Sequence, residues 1–439
     1  MSLGPPAERH MLNQSELQIE RLGEASHPSP LAMQGRRIEC VSDEAQVRFV
    51  AETGPHVSDD EAALRFEKAG PREQIYFDPQ HTTAAIVTCG GLAPGLNNVI
   101  RSVYQELTEN YGVRRVLGIR EGYRGLIAGS GLPPMALSEL DVDHIHERGG
   151  TMLGTSRGPQ DPVAMVDFLV DQSIHILFCI GGDGTQRGAH VIREEITRRG
   201  LPIAIVGIPK TIDNDVPFVW MSFGHVTALS QAEKVLRAAH TEAKAAPNGL
   251  GLVKLMGRNA GFIAAGAAVA SQEANFVLVP EVPFPLDRFL DTLLQRMVDK
   301  GHALVVVAEG AGQHLLRASG DSGLDASGNR LHGDIGPFLG DAIKKHFADA
   351  SVELNLKYFD PGYLIRSVPA TAWDRILSDH MARHAVHAAM TGRTDVLIGF
   401  LHGTFLHVPI STAIAEKKHM EIPGDLWAAV LSTTGQPSW

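Results

Sequence analysis

Two carboxylates two residues apart, Asp213 and Asp215, lie in the run Pro209-Lys210-Thr211-Ile212-Asp213-Asn214-Asp215. If that run is extended, both face the same side. One could then take the proton of an attacking hydroxyl, and the other could hold a metal or fix the loop. A plain Asx-turn accounts for the same spacing without chemistry. Upstream lies Gly181-Gly182-Asp183-Gly184-Thr185. Two glycines open a phosphate-sized space, and the carboxylate beside them suits Mg²⁺ bridging phosphate oxygens. Asp183 could instead form a turn, and Thr185 could cap the following helix. A third run, Cys89-Gly90-Gly91-Leu92-Ala93-Pro94-Gly95-Leu96-Asn97-Asn98, passes from a strand into a helix expected over Asn97 to Glu109. Such a turn brings backbone close to an anion at a helix N-terminus, or simply turns the chain.

Three arginines stand beside expected turns: Arg157 in Gly154-Thr155-Ser156-Arg157-Gly158, Arg258 in Met256-Gly257-Arg258, and Arg366 in Tyr363-Leu364-Ile365-Arg366. Each can bind a phosphate bidentately, and each alone can equally be a surface ion pair. Arg258 is expected to begin a helix. Among twenty histidines there is no H-E-x-x-H; His380, His384 and His387 share helical spacing and read as a polar helix surface. There is also no nucleophile elbow and no Walker A motif.

The elements that must position these residues begin at Thr82. Strand-length apolar runs cover Ala84 to Cys89, Ile174 to Ile180, Ile203 to Ile208, Leu250 to Leu255, Ala274 to Val279 and Ala303 to Ala308. Near-continuous apolar runs alternating with helical patterns mean strands buried on both faces in βαβ units. Gly90-Gly91, Gly181 to Thr185, Pro209 to Asp215, Met256 to Arg258, Pro280-Glu281 and Glu309-Gly310 each follow such a run, at the carboxyl edge where open α/β sheets bind ligands. Gly261 to Ala270 reads as a buried helix. The fold class is therefore α/β, with two Rossmann-like parallel-sheet domains after an N-terminal extension. The extension, residues 1–80, is polar and proline-bearing, with a short helix expected near Asp60 to Lys68.

The 439 residues suit two or three domains, and 44% apolar with 20% charged composition supplies a large core. A net charge of −11 argues against nucleic acid as the main partner, so an anionic ligand needs a local basic cluster. The cysteines, Cys40, Cys89 and Cys179, form no C-x-x-C pair. Cys89 and Cys179 read as buried small hydrophobes, and the expected compartment is the cytoplasm. No signal peptide or membrane-spanning run is visible, so no membrane partner is expected.

In combination, Gly181 to Thr185, Pro209 to Asp215, Met256-Gly257-Arg258, Glu309-Gly310 and Tyr363 to Arg366 resemble the 6-phosphofructokinase family, in the family's order, over roughly residues 82 to 400. The resemblance implies phosphorylation of fructose 6-phosphate at its 1-hydroxyl by ATP with Mg²⁺, in the cleft of a two-domain subunit. It implies Asp213 as the base, with Thr211 and Arg258 also catalytic, and Asp183 as the Mg²⁺ residue. It assigns Gly90, Tyr123, Arg157, Gly158, Gly181, Gly182, Asp183, Gly184 and Thr185 to the nucleotide. It assigns Thr211, Ile212, Asp213, Met256, Gly257, Arg258, Glu309, Tyr363 and Arg366 to the sugar phosphate. Lys357 falls where many members place a cation for the 6-phosphate, often across a subunit contact. The implied domains are 81–224 plus 366–415 for the donor and 225–365 for fructose 6-phosphate, with a C-terminal tail at 416–439. A homo-oligomer, dimer or tetramer, is also implied.

Two positions bear on the donor. Gly184 resembles ATP users, since Asp there would crowd and repel an α-phosphate; Lys210 resembles pyrophosphate users. The pair together, with the N-terminal extension, is similar to the long-chain ATP-dependent group. Leu92 departs from the acidic residue of compact bacterial members, so their effector response does not carry over. A pyrophosphate-dependent phosphotransferase and a non-catalytic sugar-phosphate binder are the alternatives. The glycine-aspartate turn is also similar to that of NAD and lipid kinases, but the Thr211 to Asp215 and Tyr363 to Arg366 blocks are not.

Overall fold

All six apolar runs become strands, each within two residues of its expected bounds. The computed structural model describes residues 12–33, 38–54, 57–316, 323 and 332–439. The start of the N-terminal extension, with Pro5 and Pro6, lies outside the described residues. In chain order the strands of the two large sheets are β1 (Gln46–Arg48), β2 (Arg65–Lys68), β3 (Thr83–Thr88), β4 (Arg115–Ile119), β5 (Met135–Ala136), β6 (Ile176–Gly181) and β7 (Ala204–Pro209), then β8 (Gly249–Leu255), β9 (Phe276–Leu278), β10 (His302–Ala308), β11 (Asn355–Phe359), β12 (Val396–Leu401) and β13 (Thr404–Pro409). The principal helices are α1 (Leu96–Gln105), α2 (Pro162–Asp171), α3 (Asp183–Arg198), α4 (His225–Ala245), α5 (Phe262–Ser271), α6 (Leu286–Lys300), α7 (Ile335–Asp349), α8 (Ala372–Met390), α9 (Ile410–Ala415) and α10 (Asp425–Thr434).

The larger sheet has the order β1-β2-β13-β12-β7-β6-β3-β4-β5. Its centre, β12-β7-β6-β3-β4, is parallel, and every residue of β3, β6, β7 and β12 is buried. Helices cover both faces, which is why these strands carry no polar alternation. Its flanks are antiparallel. The hairpin β12–β13 turns on His402 and Gly403 with φ of 50° and 75°, the left-handed pair that a two-residue turn needs. The smaller sheet, β9-β10-β8-β11, is parallel throughout.

The N-terminal extension closes the open edge of the larger sheet. The helix expected near Asp60 to Lys68 ends at Ala63, and Arg65–Lys68 is a strand. Ser58 and Glu61 form a capping box that starts the helix, while Phe66 is fully buried where β2 meets β13. Covering β13 this way removes an exposed edge strand. The C-terminal helix α10 packs on α5, and the Gln436 amide accepts from Val277 N–H at 2.6 Å and donates to Val277 C=O at 3.2 Å, completing the edge of β9.

Three further expectations change. The first helix is regular only to Gln105 and continues as a π-turn over Glu106–Tyr111. Arg258 lies in irregular chain, and α5 starts at Phe262. His387 is buried on α8, bonded through Nδ1 to the Tyr111 hydroxyl at 2.9 Å, and His384 stacks on Phe405, so of the three histidines only His380 stays on the exposed surface. Cys89 and Cys179 are buried, as their apolar neighbours require. Among the described residues no helix is long and apolar enough to cross a membrane.

Candidate active site

Loops from the carboxyl ends of β3, β6 and β7 on the larger sheet, and of β8 and β10 on the smaller, meet between the sheets. After β3, Gly90 (φ 80°) donates its N–H to Ser156 C=O at 3.1 Å, and its carbonyl accepts from the Thr155 hydroxyl at 2.7 Å. The turn is thereby fixed to the loop carrying Arg157 and Gly158. A Cβ on Gly91 would stand 2.9 Å from Arg366 Nη1 and 3.6 Å from Arg157 Nη2, so only glycine lets both guanidinium groups come this close. Sequence assigned these two arginines to different ligands, and the fold brings them to one spot. Lys210 joins them: it is 5% exposed, and its ammonium donates to Gly91 C=O. Burial pushes that ammonium down to about 8, and Arg366 and Arg157 push the same way.

After β6, Gly182 caps α3 and Asp183 is its first residue. The Asp183 carboxylate lies 3.2 Å from Arg187 Nε and 3.6 Å from Lys417 Nζ. A Cβ on Gly181 would stand 2.1 Å from Thr185 Oγ1, whereas one on Gly184 would meet nothing within 4 Å. Gly184 therefore borders open space. Tyr123 stands behind this turn, buried, with its hydroxyl donated to Thr185 C=O at 2.7 Å and its ring against Gly188. It braces the turn, with its polar handle already spent.

After β7, the Thr211 to Asp215 run is not extended, because Asn214 is left-handed at φ 56°. The Thr211 hydroxyl donates to Asp215 Oδ1 at 2.8 Å and accepts the Asp213 N–H at 3.1 Å. Asn214 Oδ1 accepts Ser222 N–H at 3.0 Å, and the Ser222 hydroxyl donates to Thr211 C=O at 2.5 Å. His225, at the start of α4, bonds through Nδ1 to Ile212 C=O at 2.6 Å. Burial pushes this histidine down to about 4, so it is neutral and its Nδ1 carries the donated proton.

The loop thus held presents Asp213, which keeps a partly exposed edge while its Oδ1 is buried with no partner among the described residues. The Arg258 backbone N–H bonds to the carboxylate. Burial pushes Asp213 up to about 7, Asp215 and Glu309 add to the rise, and Arg258 N–H and Lys210 oppose it. A buried acceptor without a donor is what a substrate hydroxyl would satisfy.

From the smaller sheet, Gly310 donates its N–H to Gly257 C=O at 3.1 Å, and a Cβ on it would stand 1.9 Å from Arg258 C=O. The Met256-Gly257-Arg258 and Glu309-Gly310 loops are therefore one packed unit. Glu309 is pushed up by burial, against the pull of Lys254, Arg258 and Arg366. Arg366 lies 4.9 Å over the Tyr363 ring, which is itself 77% exposed. Lys357 is exposed on β11 opposite Gly251.

Sequence reasoning passed over the segment between α9 and α10, which crosses the cleft. Lys417 Nζ is 3.6 Å from Asp183 and 3.9 Å from Asp215. Lys418 donates its N–H to Asp215 C=O at 3.1 Å and its ammonium to Val219 C=O at 2.6 Å; burial pushes that ammonium down to about 7. His419 Nδ1 bonds to Asn259 C=O at 3.0 Å, and Met420 N–H donates to Glu281 Oε1 at 3.0 Å. Adjacent lysines in a tail were the only signal. Among the described residues no group of three His, Cys, Asp or Glu is arranged to hold a metal. Asp183 and Asp215 supply oxygen ligands of the kind Mg²⁺ takes when phosphates complete its shell.

Residues 83–389 match the phosphofructokinase family. The chain is 44% identical over 439 aligned residues to the ATP-dependent 6-phosphofructokinase of Borreliella burgdorferi, covering 96% of this chain and 97% of that one. It is 45% identical to the ATP-dependent 6-phosphofructokinase of Amycolatopsis methanolica, over 97% and 96% of the two chains. The enzyme of that name from Trypanosoma brucei brucei is 42% identical, over 98% and 90%. Among solved structures, a pyrophosphate-dependent phosphofructokinase from Marinobacter aquaeolei superposes with a TM-score of 0.66 at 21% identity, covering 82% of this chain and 92% of that one. At that identity the likeness concerns the fold.

Proposed function

The chain belongs to the phosphofructokinase family, and we propose that it transfers the terminal phosphoryl group of ATP to the 1-hydroxyl of fructose 6-phosphate, giving fructose 1,6-bisphosphate and ADP. The observation that carries this reading is Asp213: a carboxylate with a buried, unpartnered Oδ1, between glycine turns on one side and Arg258 and Glu309 on the other. It accepts the proton of the 1-hydroxyl as that oxygen attacks the phosphorus and the bond to the ADP oxygen breaks. Thr211 and His225 hold its loop, and Arg258 fixes the carboxylate through a backbone N–H. Lys210, Arg157 and Arg366 supply positive charge beside Gly91 for the developing anion. Asp183, with Asp215, is the residue we assign to Mg²⁺, which when bound offsets donor-phosphate charge.

In this reading 81–224 plus 366–415 bind the donor through Gly90, Arg157, Gly158 and the Gly181 to Thr185 turn, braced by Tyr123. Residues 225–365 bring Met256, Gly257, Arg258 and Glu309 to the sugar, with Tyr363 and Arg366. Lys357, exposed on β11, serves the 6-phosphate of a neighbouring subunit in a homo-oligomer. A reducing, cytoplasmic setting fits three free cysteines.

Pyrophosphate is the second reading for the donor, favoured by Lys210. Open space at Gly184 favours a nucleotide, since it leaves room where a side chain would crowd the α-phosphate. The test supplies fructose 6-phosphate and Mg²⁺ with ATP or with pyrophosphate and follows fructose 1,6-bisphosphate. Product with ATP alone supports the proposal. Product with pyrophosphate alone gives Lys210 the decision, and product with neither leaves a sugar-phosphate binder.

A further inference from the structure

The segment between α9 and α10 leaves the larger sheet's side of the cleft and reaches the smaller sheet's side, where α10 packs on α5. It is tied down at both banks. Arg187 donates to Ile414 C=O at 2.6 Å, and Lys418 bonds to Asp215, Val219 and Trp220. On the far bank, His419 bonds to Asn259, next to Arg258, and Met420 shares the Glu281 carboxylate with Gly261 N–H. The backbone flanking Lys417 is therefore fixed, while the Lys417 side chain remains 29% exposed within the cleft.

Among the described residues its ammonium has no partner closer than 3.6 Å. It stands 3.6 Å from Asp183 Oδ2 and 3.9 Å from Asp215 Oδ2, bridging the glycine turn and the loop of Asp213. Those are the two carboxylates assigned above to the metal of the donor complex. A metal held by those carboxylates would draw them from Lys417, and a donor phosphate in the same cleft would offer the ammonium a replacement anion. A lysine ammonium is a compact charge on a flexible stem, and a side-chain rotation suffices to change partners.

We infer that Lys417 is a catalytic residue of the phosphoryl transfer: its ammonium leaves Asp183 and Asp215 for the oxygens of the transferring phosphoryl group. The inference rests on the function proposed above and adds a third contributor, the C-terminal segment, to a site otherwise built from the two sheets. Lys418, His419 and Met420 act through it, by holding its backbone in place.

The test compares wild type with Lys417→Met, and with Lys417→Gln should the first variant not fold. Loss of one charge-stabilising donor lowers kcat/KM for ATP about 100-fold. The KM for fructose 6-phosphate stays within about threefold, since no sugar contact is removed. Affinity for ATP, read by calorimetry without fructose 6-phosphate, falls about tenfold, while affinity for ADP, which lacks the terminal phosphate, holds within about twofold. Lys417→Arg restores most of the rate. Wild-type turnover with an unchanged Lys417→Met overturns the inference and leaves the proposed function standing. Equal losses for ATP and ADP also overturn it, because they make the lysine a structural tie. A wild type that forms no product with ATP overturns both readings.

Discussion

Two clusters of carboxylates sit at opposite ends of the larger sheet's role, and they have opposite electrostatics. In the first, Asp43 and Glu67 of the N-terminal extension meet Arg21, Arg72, Arg393 and His407. Burial raises Glu67, but the His407 hydrogen bond and the charges of His407, Arg393 and Arg21 hold it well below the usual carboxylate range. Asp43 is lowered likewise, through its bonds to Arg393 and Arg72. In the second, Asp213 and Glu309 are largely buried, Asp213 with an unpartnered Oδ1 among the described residues, and both are raised. The extension's carboxylates already have their cationic partners, with only His407 Nε2 buried and unpartnered among the described residues of this cluster, so the network fastens residues near 40–70 to β13 and to Arg393. The cleft's network lacks donors that ligands can supply. Burial alone explains neither cluster; whether the partners are already present decides each one.

Breaking the first cluster gives the largest effect on stability. Glu67→Ala takes from buried Arg393, Arg72 and His407 the carboxylate they share, leaving Asp43 alone to pair both arginines, and should cost ~3–5 kcal/mol, read by urea unfolding. Activity per folded molecule should stay unchanged, because the network does not enter the cleft. His225→Ala removes the donor to Ile212 C=O and should cost ~1–3 kcal/mol with a several-fold lower kcat, since the loop of Asp213 loosens. Gly184→Asp should raise the KM for ATP about tenfold, by setting a carboxylate where the nucleotide's phosphates need space.

The smallest effect is the most telling in sign. The folded state raises Asp213 from its ordinary 3.8 to about 7. An acid raised on folding opposes stability once the unfolded chain ionises, so the penalty grows from near pH 4 and is complete above pH 7. Asp213→Asn should therefore raise Tm by a few degrees at pH 8, with the gain shrinking as pH falls toward 4. A loss of Tm at pH 8 would place Asp213 with the paired carboxylates of the first cluster.

The parallel core and its glycine turns were legible because both-face burial writes continuous apolar runs, and because close backbone approach demands glycine. The convergence of Arg157, Lys210 and Arg366 on Gly91 was not, since three distant loops create it. β2 was hidden because its one buried side chain, Phe66, sits within charged residues that read as helical. The burial of His387 depends on the π-turn bringing Tyr111 against α8, which helical spacing on one element cannot reveal. Lys417 gave no signal beyond its charge, because its importance lies in where a fixed loop carries it.

Whether Asp213 takes the proton of the fructose 6-phosphate 1-hydroxyl is read from kcat of Asp213→Ala at saturating ATP, Mg²⁺ and fructose 6-phosphate. It should fall roughly 10³-fold or more with substrate binding largely intact, as for loss of a general base that also orients its nucleophile. Turnover within a few-fold of wild type would contradict that role.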